Sequence, residues 1–224
     1  MRNKKALKEK EKLISEIVKI SHLLYQKEFV SATDGNISAR LKNGNIICTP
    51  TSVNKGELRR SQIVEVDLDG NLVYGIYKPS TEIKMHLFIY KNRNDVNAIV
   101  HAHPPFATAF ATAGLSLEGF TLPEVIINLG KIPLAKYATP STDEVPSSIQ
   151  PFVKDCDAFL LQNHGAVTLG ANLKDAYLKM EKLEHYAMVV LLARILGGEK
   201  HLSIEDIEKL SDVSLKIYGK KIKI

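Results

Sequence analysis

The chain has 224 residues with 45% hydrophobic side chains and no compositional break, enough to bury one substantial core, so one domain spanning residues 1–224 is expected. Its formal charge of +5, from 30 basic against 25 acidic residues, gathers toward residues 1–12 and 219–221, which read as solvated ends; the balanced middle excludes a basic nucleic-acid-binding footprint. Two distant cysteines (Cys48 and Cys156), a charged N-terminus without an apolar leader, and a longest apolar run (187–196) broken by Arg194 exclude a disulfide scaffold, a secretory signal and a transmembrane helix. They predict a soluble, cytoplasmic protein without membrane or nucleic-acid partners.

Between residues 7 and 29, Leu13, Ile14, Ile17, Ile20, Leu23 and Leu24 recur at helical spacing among Lys and Glu, predicting an amphipathic helix that ends at Ser31-Ala-Thr-Asp-Gly35. Residues 36–40 and 46–49 flank Asn43-Gly44, a dipeptide suited to a tight hairpin turn, and 64–68 with 72–74 repeat the pattern about Asp69-Gly70. Pro79-Ser80-Thr81-Glu82 precedes a helix over 83–91, with Ser80 or Thr81 as its N-cap and Glu82 in its first turn. Residues 98–103 form a strand stopped by Pro104-Pro105, and 106–113 a helix. After a Pro- and Gly-punctuated stretch, Ser141 is placed to cap another short helix. Residues 158–169 read as one buried strand interrupted by Gln162-Asn163-His164. A long helix over 173–196 ends at Gly197-Gly198, and a short one follows over 203–211. Hairpins first, then helices between strands, imply an α/β layered fold on a mixed, mostly antiparallel sheet.

His101 and His103, one residue apart in a strand, point to the same face and can approach one ion together. Such a pair also occurs as plain packing, so a metal site needs a further ligand, and His164, in a polar interruption of apolar sequence, is the candidate. Three histidines form the ligand set of a catalytic zinc site, with a position left for substrate. Glu82 reads either as a carboxylate complementing a helix dipole or as a group beside an anion held at Ser80 and Thr81. His86, on the same helical face as Glu82, fits the core better than the metal; His22, His185 and His201 read as surface residues. Asp34-Gly35-Asn36 and Thr49-Pro50-Thr51-Ser52 are turns that can also offer donors to an anion.

Gly35-Asn36-Ile37-Ser38, Thr49-Pro50-Thr51-Ser52, Pro79-Ser80-Thr81-Glu82, His101-Ala102-His103-Pro104 and Gln162-Asn163-His164-Gly165 occur in the order of the class II aldolase/adducin family. The chain resembles that family from the first helix to about residue 196, and within it the aldolases acting on L-fuculose-1-phosphate-like sugars. The resemblance implies a three-layer α/β/α fold, one zinc ion bound by His101, His103 and His164, and Glu82 as the acid/base that also contacts the metal in the resting site. It implies a phosphate cradle from Gly35, Asn36, Thr51, Ser52, Ser80 and Thr81, and a Tyr137 that serves a neighbouring subunit's site in a homotetramer. The implied reaction is reversible cleavage of a ketose 1-phosphate to dihydroxyacetone phosphate and a short aldehyde. Alternatives within the family are a methylthioribulose-phosphate dehydratase, a pentulose-phosphate 4-epimerase, which usually carries Asp where this chain has Glu82, and a non-catalytic adducin-like module. The sequence departs from the family's habit at Ser52, where Gly is frequent, and at Thr81, where Ser is frequent; any role of Tyr218 lies in a poorly matched tail.

Overall fold

The computed structural model describes residues 2–219 and 222, without the side chains of 2, 3, 5 and 218. Helix α1 (Arg2–Gln26) starts earlier than its apolar pattern, so residues 2–12 of the end read as solvated are helical, and Lys10 pairs with Glu65 at 2.5 Å. Its buried stripe is Ile14, Ile17, Ile20 and Leu24, as a period of 3.6 requires. Strands β1 (Asn36–Arg40) and β2 (Ile46–Cys48) pair antiparallel across a turn in which Gly44 has φ 90°, a value that favours glycine. A single 3-10 turn (Arg60–Gln62) leads to β3 (Val64–Val66) and β4 (Leu72–Tyr74).

The remaining elements are α2 (Ile83–Asn92), β5 (Ala98–Ala102), α3 (Pro105–Thr112), α4 (Pro123–Asn128), β6 (Leu134–Ala135), α5 (Glu144–Ile149), β7 (Ala158–Leu161), β8 (Gly165–Gly170), α6 (Leu173–Ile195), α7 (Ile204–Val213) and a π-helical turn (Ser214–Tyr218). The eight strands form one sheet in the order β4-β3-β2-β1-β5-β8-β7-β6; every pairing is antiparallel except β6 with β7. Alternate residues of each strand feed opposite faces. Ala98, Val100 and Ala102 join a core with α1, α3, α4 and α6, whereas Ile99, Val167 and Leu169 join a second core with α2 and α5. This is the three-layer α/β/α arrangement. Among the described residues no helix is long and apolar enough to cross a membrane.

Three local expectations are corrected. The segment 158–169 is a hairpin of two strands, β7 and β8, with Gln162-Asn163-His164 as its turn and Asn163 at φ 56°. Glu82 sits at the N-cap of α2 rather than in its first turn, and neither Ser80 nor Thr81 holds that position; the Ser80 hydroxyl, two residues ahead of the cap, accepts from Glu82 N at 3.3 Å. Helix α5 starts behind Asp143, and Ser141, at φ 68°, donates instead to Thr81 Oγ1 at 2.7 Å.

Candidate active site

His101 shares its sheet face with Ile99, so its ring points into the layer occupied by α2, and His103 continues the same parity one step past the end of β5. Asn36 lies directly across from His101 in β1 and Val167 across in β8. The β7–β8 turn then delivers His164 from the other side. Gly165, which opens β8, permits that approach, since a Cβ there would meet Ala102 O at 2.5 Å and His103 Cδ2 at 2.6 Å. The backbone of His103 is tied to Phe29 O at 2.8 Å, and Asn163 N reaches Ala111 O at 3.3 Å. The carboxylate of Glu82, carried at the head of α2, completes the group.

The three imidazoles form a nearly equilateral triangle, with ring centroids 5.0, 4.7 and 4.9 Å apart. One nitrogen from each lies within 4.8 Å of the others, a spacing one ion can bridge. His101 is fully buried, and its Nδ1 is 3.0 Å from Ala166 O; a carbonyl only accepts, so that nitrogen carries the proton. Its Nε2 therefore faces His103 Nε2 at 3.2 Å and Glu82 Oε2 at 3.3 Å, an arrangement that is repulsive unless a cation or a second proton sits there. Glu82 Oε1 is buried without a hydrogen bond, although His164 Nε2 is 3.3 Å away, while Glu82 Oε2 accepts from Asn36 Nδ2 at 2.7 Å. An orphaned carboxylate oxygen among bare imidazole nitrogens is a donor set suited to a divalent cation.

Charge in the cluster agrees. Burial pulls the Glu82 carboxyl upward, yet the charge and hydrogen bond of His101, with His164 and Asn36 behind them, hold it well below the usual carboxylate range. Burial also opposes charging His101, but the facing Glu82 carboxylate raises it. His103 is pushed down to about 3 and His164 to about 4, by burial first and by the charge at His101 next, which leaves both as neutral imidazoles at physiological pH. One centre of positive charge is what this constellation accommodates. His86 stands apart: it is buried, its Nδ1 is 2.6 Å from Ser38 Oγ, and Ser38 continues to Tyr90 at 2.8 Å. His185 and His201 are exposed, while His22 is half-buried with Nε2 2.9 Å from Leu58 O, a contact its charged sequence surroundings do not announce.

Beside the histidines opens a cavity of about 250 Å³, lined by Gly35, Asn36, Thr51, Ser52, Ser80 and Thr81 and reaching Glu82, His103 and His164. All six residues expected to cradle a phosphate are thus brought together. Ser52 takes φ 57°, a backbone conformation that favours Gly. Thr33, Asp34, Pro50, Pro140 and Ser141 complete the wall. Ser141 belongs to this wall rather than to a helix cap. Tyr137 is 59% exposed and does not line the cavity, its backbone N–H donating to Gln162 Oε1 at 3.0 Å. The side chain of Tyr218 lies outside the described part of the structure.

Comparison with known proteins agrees with this geometry. Residues 15–191 match the class II aldolase and adducin N-terminal domain. An L-fuculose phosphate aldolase of Methanococcus maripaludis (strain C5) is 39% identical over 185 residues, 82% of this chain and 98% of that protein. A 3-oxo-tetronate 4-phosphate decarboxylase of Pectobacterium atrosepticum is 34% identical over 213 residues, 92% of this chain and 95% of that protein. The crystal structure of L-fuculose-1-phosphate aldolase from Thermus thermophilus superposes with a TM-score of 0.74 at 31% identity, covering 85% of this chain and 98% of that one. Because the matched segment takes in both hairpins, Glu82, the His-x-His strand and the His164 turn, the chain belongs to the class II aldolase and adducin N-terminal domain family.

Proposed function

We propose that the protein is a zinc-dependent aldolase that reversibly cleaves a ketose 1-phosphate, of the L-fuculose 1-phosphate kind, to dihydroxyacetone phosphate and a short aldehyde. The observation that carries the reading is the Glu82 carboxylate 3.3 Å from both His101 and His164, within a group whose three histidine nitrogens lie inside 4.8 Å. His101, His103 and His164, with Glu82 in the resting site, would hold the metal, which supplies Lewis-acid polarisation of the substrate's carbonyl and hydroxyl oxygens. Gly35, Asn36, Thr51, Ser52, Ser80 and Thr81 hold the phosphate, through hydroxyls and backbone N–H groups at the cavity wall. In cleavage the electron pair of the breaking carbon–carbon bond stays with the dihydroxyacetone phosphate half. Cleavage therefore moves one proton overall, from the hydroxyl that becomes the aldehyde oxygen to that carbon: Tyr137 from a neighbouring subunit relays it off the oxygen, and Glu82, once it has taken up a proton, delivers it to the carbon. The exposure of Tyr137 outside its own chain's cavity supports a role across a subunit boundary, in a homotetramer. The whole chain acts as one domain.

A second reading is favoured by the decarboxylase relatives, which align over 92% of this chain. Loss of carbon dioxide from a 3-oxo acid also breaks a bond next to a carbonyl and leaves its electron pair on the carbon that Glu82 faces; only the departing group differs. The deciding experiment supplies zinc-loaded protein with a panel of ketose 1-phosphates and with phosphorylated 3-oxo acids, and identifies the products. Aldehyde release that is lost on chelation and restored by zinc is the expected result. Carbon dioxide release would select the second reading, and metal-independent cleavage with a borohydride-trapped lysine adduct would sink both.

A further inference from the structure

Lys55 is 1% exposed, one of the largest fully buried side chains of the protein. Its ammonium donates to Thr33 O at 2.9 Å and to Val53 O at 3.0 Å. Thr33 lines the cavity directly and Val53 follows the lining residue Ser52, so one cation ties together two loops that both contribute to the anion cradle. Among the described residues it makes no ion pair: Asp34 and Glu82 act on it only at longer range, and its own charge is felt at His103. Burying an ammonium on two carbonyls alone leaves a desolvation cost that an opposite charge would offset. The backbone beside the lysine is pinned. Gly56, the next residue, is pressed so close to the Tyr25 ring that a Cβ would stand 2.5 Å from it, and Gly56 N is fixed to Asn54 Oδ1 at 2.7 Å. Burial lowers the ammonium to about 8, with Asp34 and then Glu82 pulling it back up, so it is mostly charged at neutral pH.

We propose that Lys55 is a positioning residue for the reaction: a fixed positive charge behind the cradle that holds the 33–36 and 51–53 loops in register around a bound phosphate dianion. The proposal rests on reading that cavity as a phosphate site, not on which carbon–carbon bond is broken there. Its test compares zinc-loaded wild type with Lys55→Met, an uncharged side chain of similar length. Sulfate, dianionic at every working pH, is titrated calorimetrically, and kcat and KM are taken for whichever phosphorylated substrate is turned over. Sulfate Kd and substrate KM should both rise about ten- to thirtyfold, with kcat within about threefold of wild type and zinc content unchanged. A folded Lys55→Met that binds sulfate as wild type does overturns the proposal. Should the variant fail to fold, wild type decides: its sulfate affinity should fall between about pH 7.5 and 9.5 as the ammonium is lost, while the Glu82 carboxyl, held below its usual range, stays ionised and His103, pushed down to about 3, stays neutral. A flat profile overturns the proposal. Sulfate binding needs no turnover, so a wrong substrate assignment leaves this test intact.

Discussion

At the scale of single residues the site depends on two kinds of position, those that supply an atom and those that leave room for one. Glu82 supplies the proton-transfer group under the proposed reading, and its amide isostere keeps the shape while losing the charge. Glu82→Gln should lower turnover by about 10²- to 10⁴-fold while the three histidines still retain zinc, measured as metal per chain beside steady-state rates; near-wild-type turnover in a metal-loaded Glu82→Gln would remove Glu82 from the chemistry. Gly165 leaves room. A methyl group there would run into Ala102 O, which the strand ladder cannot move, and into His103 Cδ2, which can swing only by leaving the triangle. Gly165→Ala is therefore expected to weaken zinc binding about tenfold or more with the fold retained, read by competition with a chelator. The histidines were legible in the sequence because a strand has a period of two, which puts His101 and His103 on one face whatever surrounds them. Lys55 was not legible, since its partners are backbone carbonyls, one of them 22 residues away, and carbonyls carry no sequence signature.

At the scale of elements, the chain connects the strand that carries His101 to the core through α3, which starts two residues after His103. That helix has no cap from its own sequence: Pro104 occupies the N-cap and offers no side-chain acceptor. The missing acceptor comes from α6, where the buried Glu184 carboxylate accepts from Phe106 N at 2.9 Å and Ala107 N at 2.8 Å. Glu184→Ala would strand two N–H groups, one of them fully buried, and should destabilise the fold by about 1–3 kcal/mol, seen as a lower urea midpoint; an unchanged midpoint would show that water replaces the carboxylate freely. A cap from 78 residues away cannot be found by scanning for Ser, Thr, Asp or Asn before a helix. The same limit explains the β7–β8 hairpin. Its turn residues Gln162-Asn163-His164 lack the Gly or Pro that usually punctuates a reversal, and apolar runs of like character flank them, so the sequence reads as one strand with a flaw. The long helices and the first two hairpins were readable because stripes and Asn-Gly or Asp-Gly dipeptides act locally; α4 and β6, inside the stretch that reads only as Pro- and Gly-punctuated, were not.

At the scale of the whole molecule, the sheet leaves β4 as an edge with Leu72, Val73 and Tyr74 all about half exposed or more and Ile76 beyond them 90% exposed, an apolar margin of the sort that subunit contacts cover. In the proposed homotetramer each site joins Glu82 of one subunit to Tyr137 of another. That geometry makes a sharp demand on mixtures. Glu82→Gln alone should be almost inactive and Tyr137→Phe alone strongly slowed. When the two variants are dissociated together and reassembled in equal amounts, a site built in trans receives an intact Glu82 half the time and an intact Tyr137 half the time. About a quarter of the sites should then be wild type, and activity should climb well above the mean of the parents as subunits exchange. Sites complete within one chain can never regain both residues by mixing. Activity that stays at the mean of the parents, in a mixture shown by mass to contain hybrid assemblies, would place Tyr137 outside the neighbouring site.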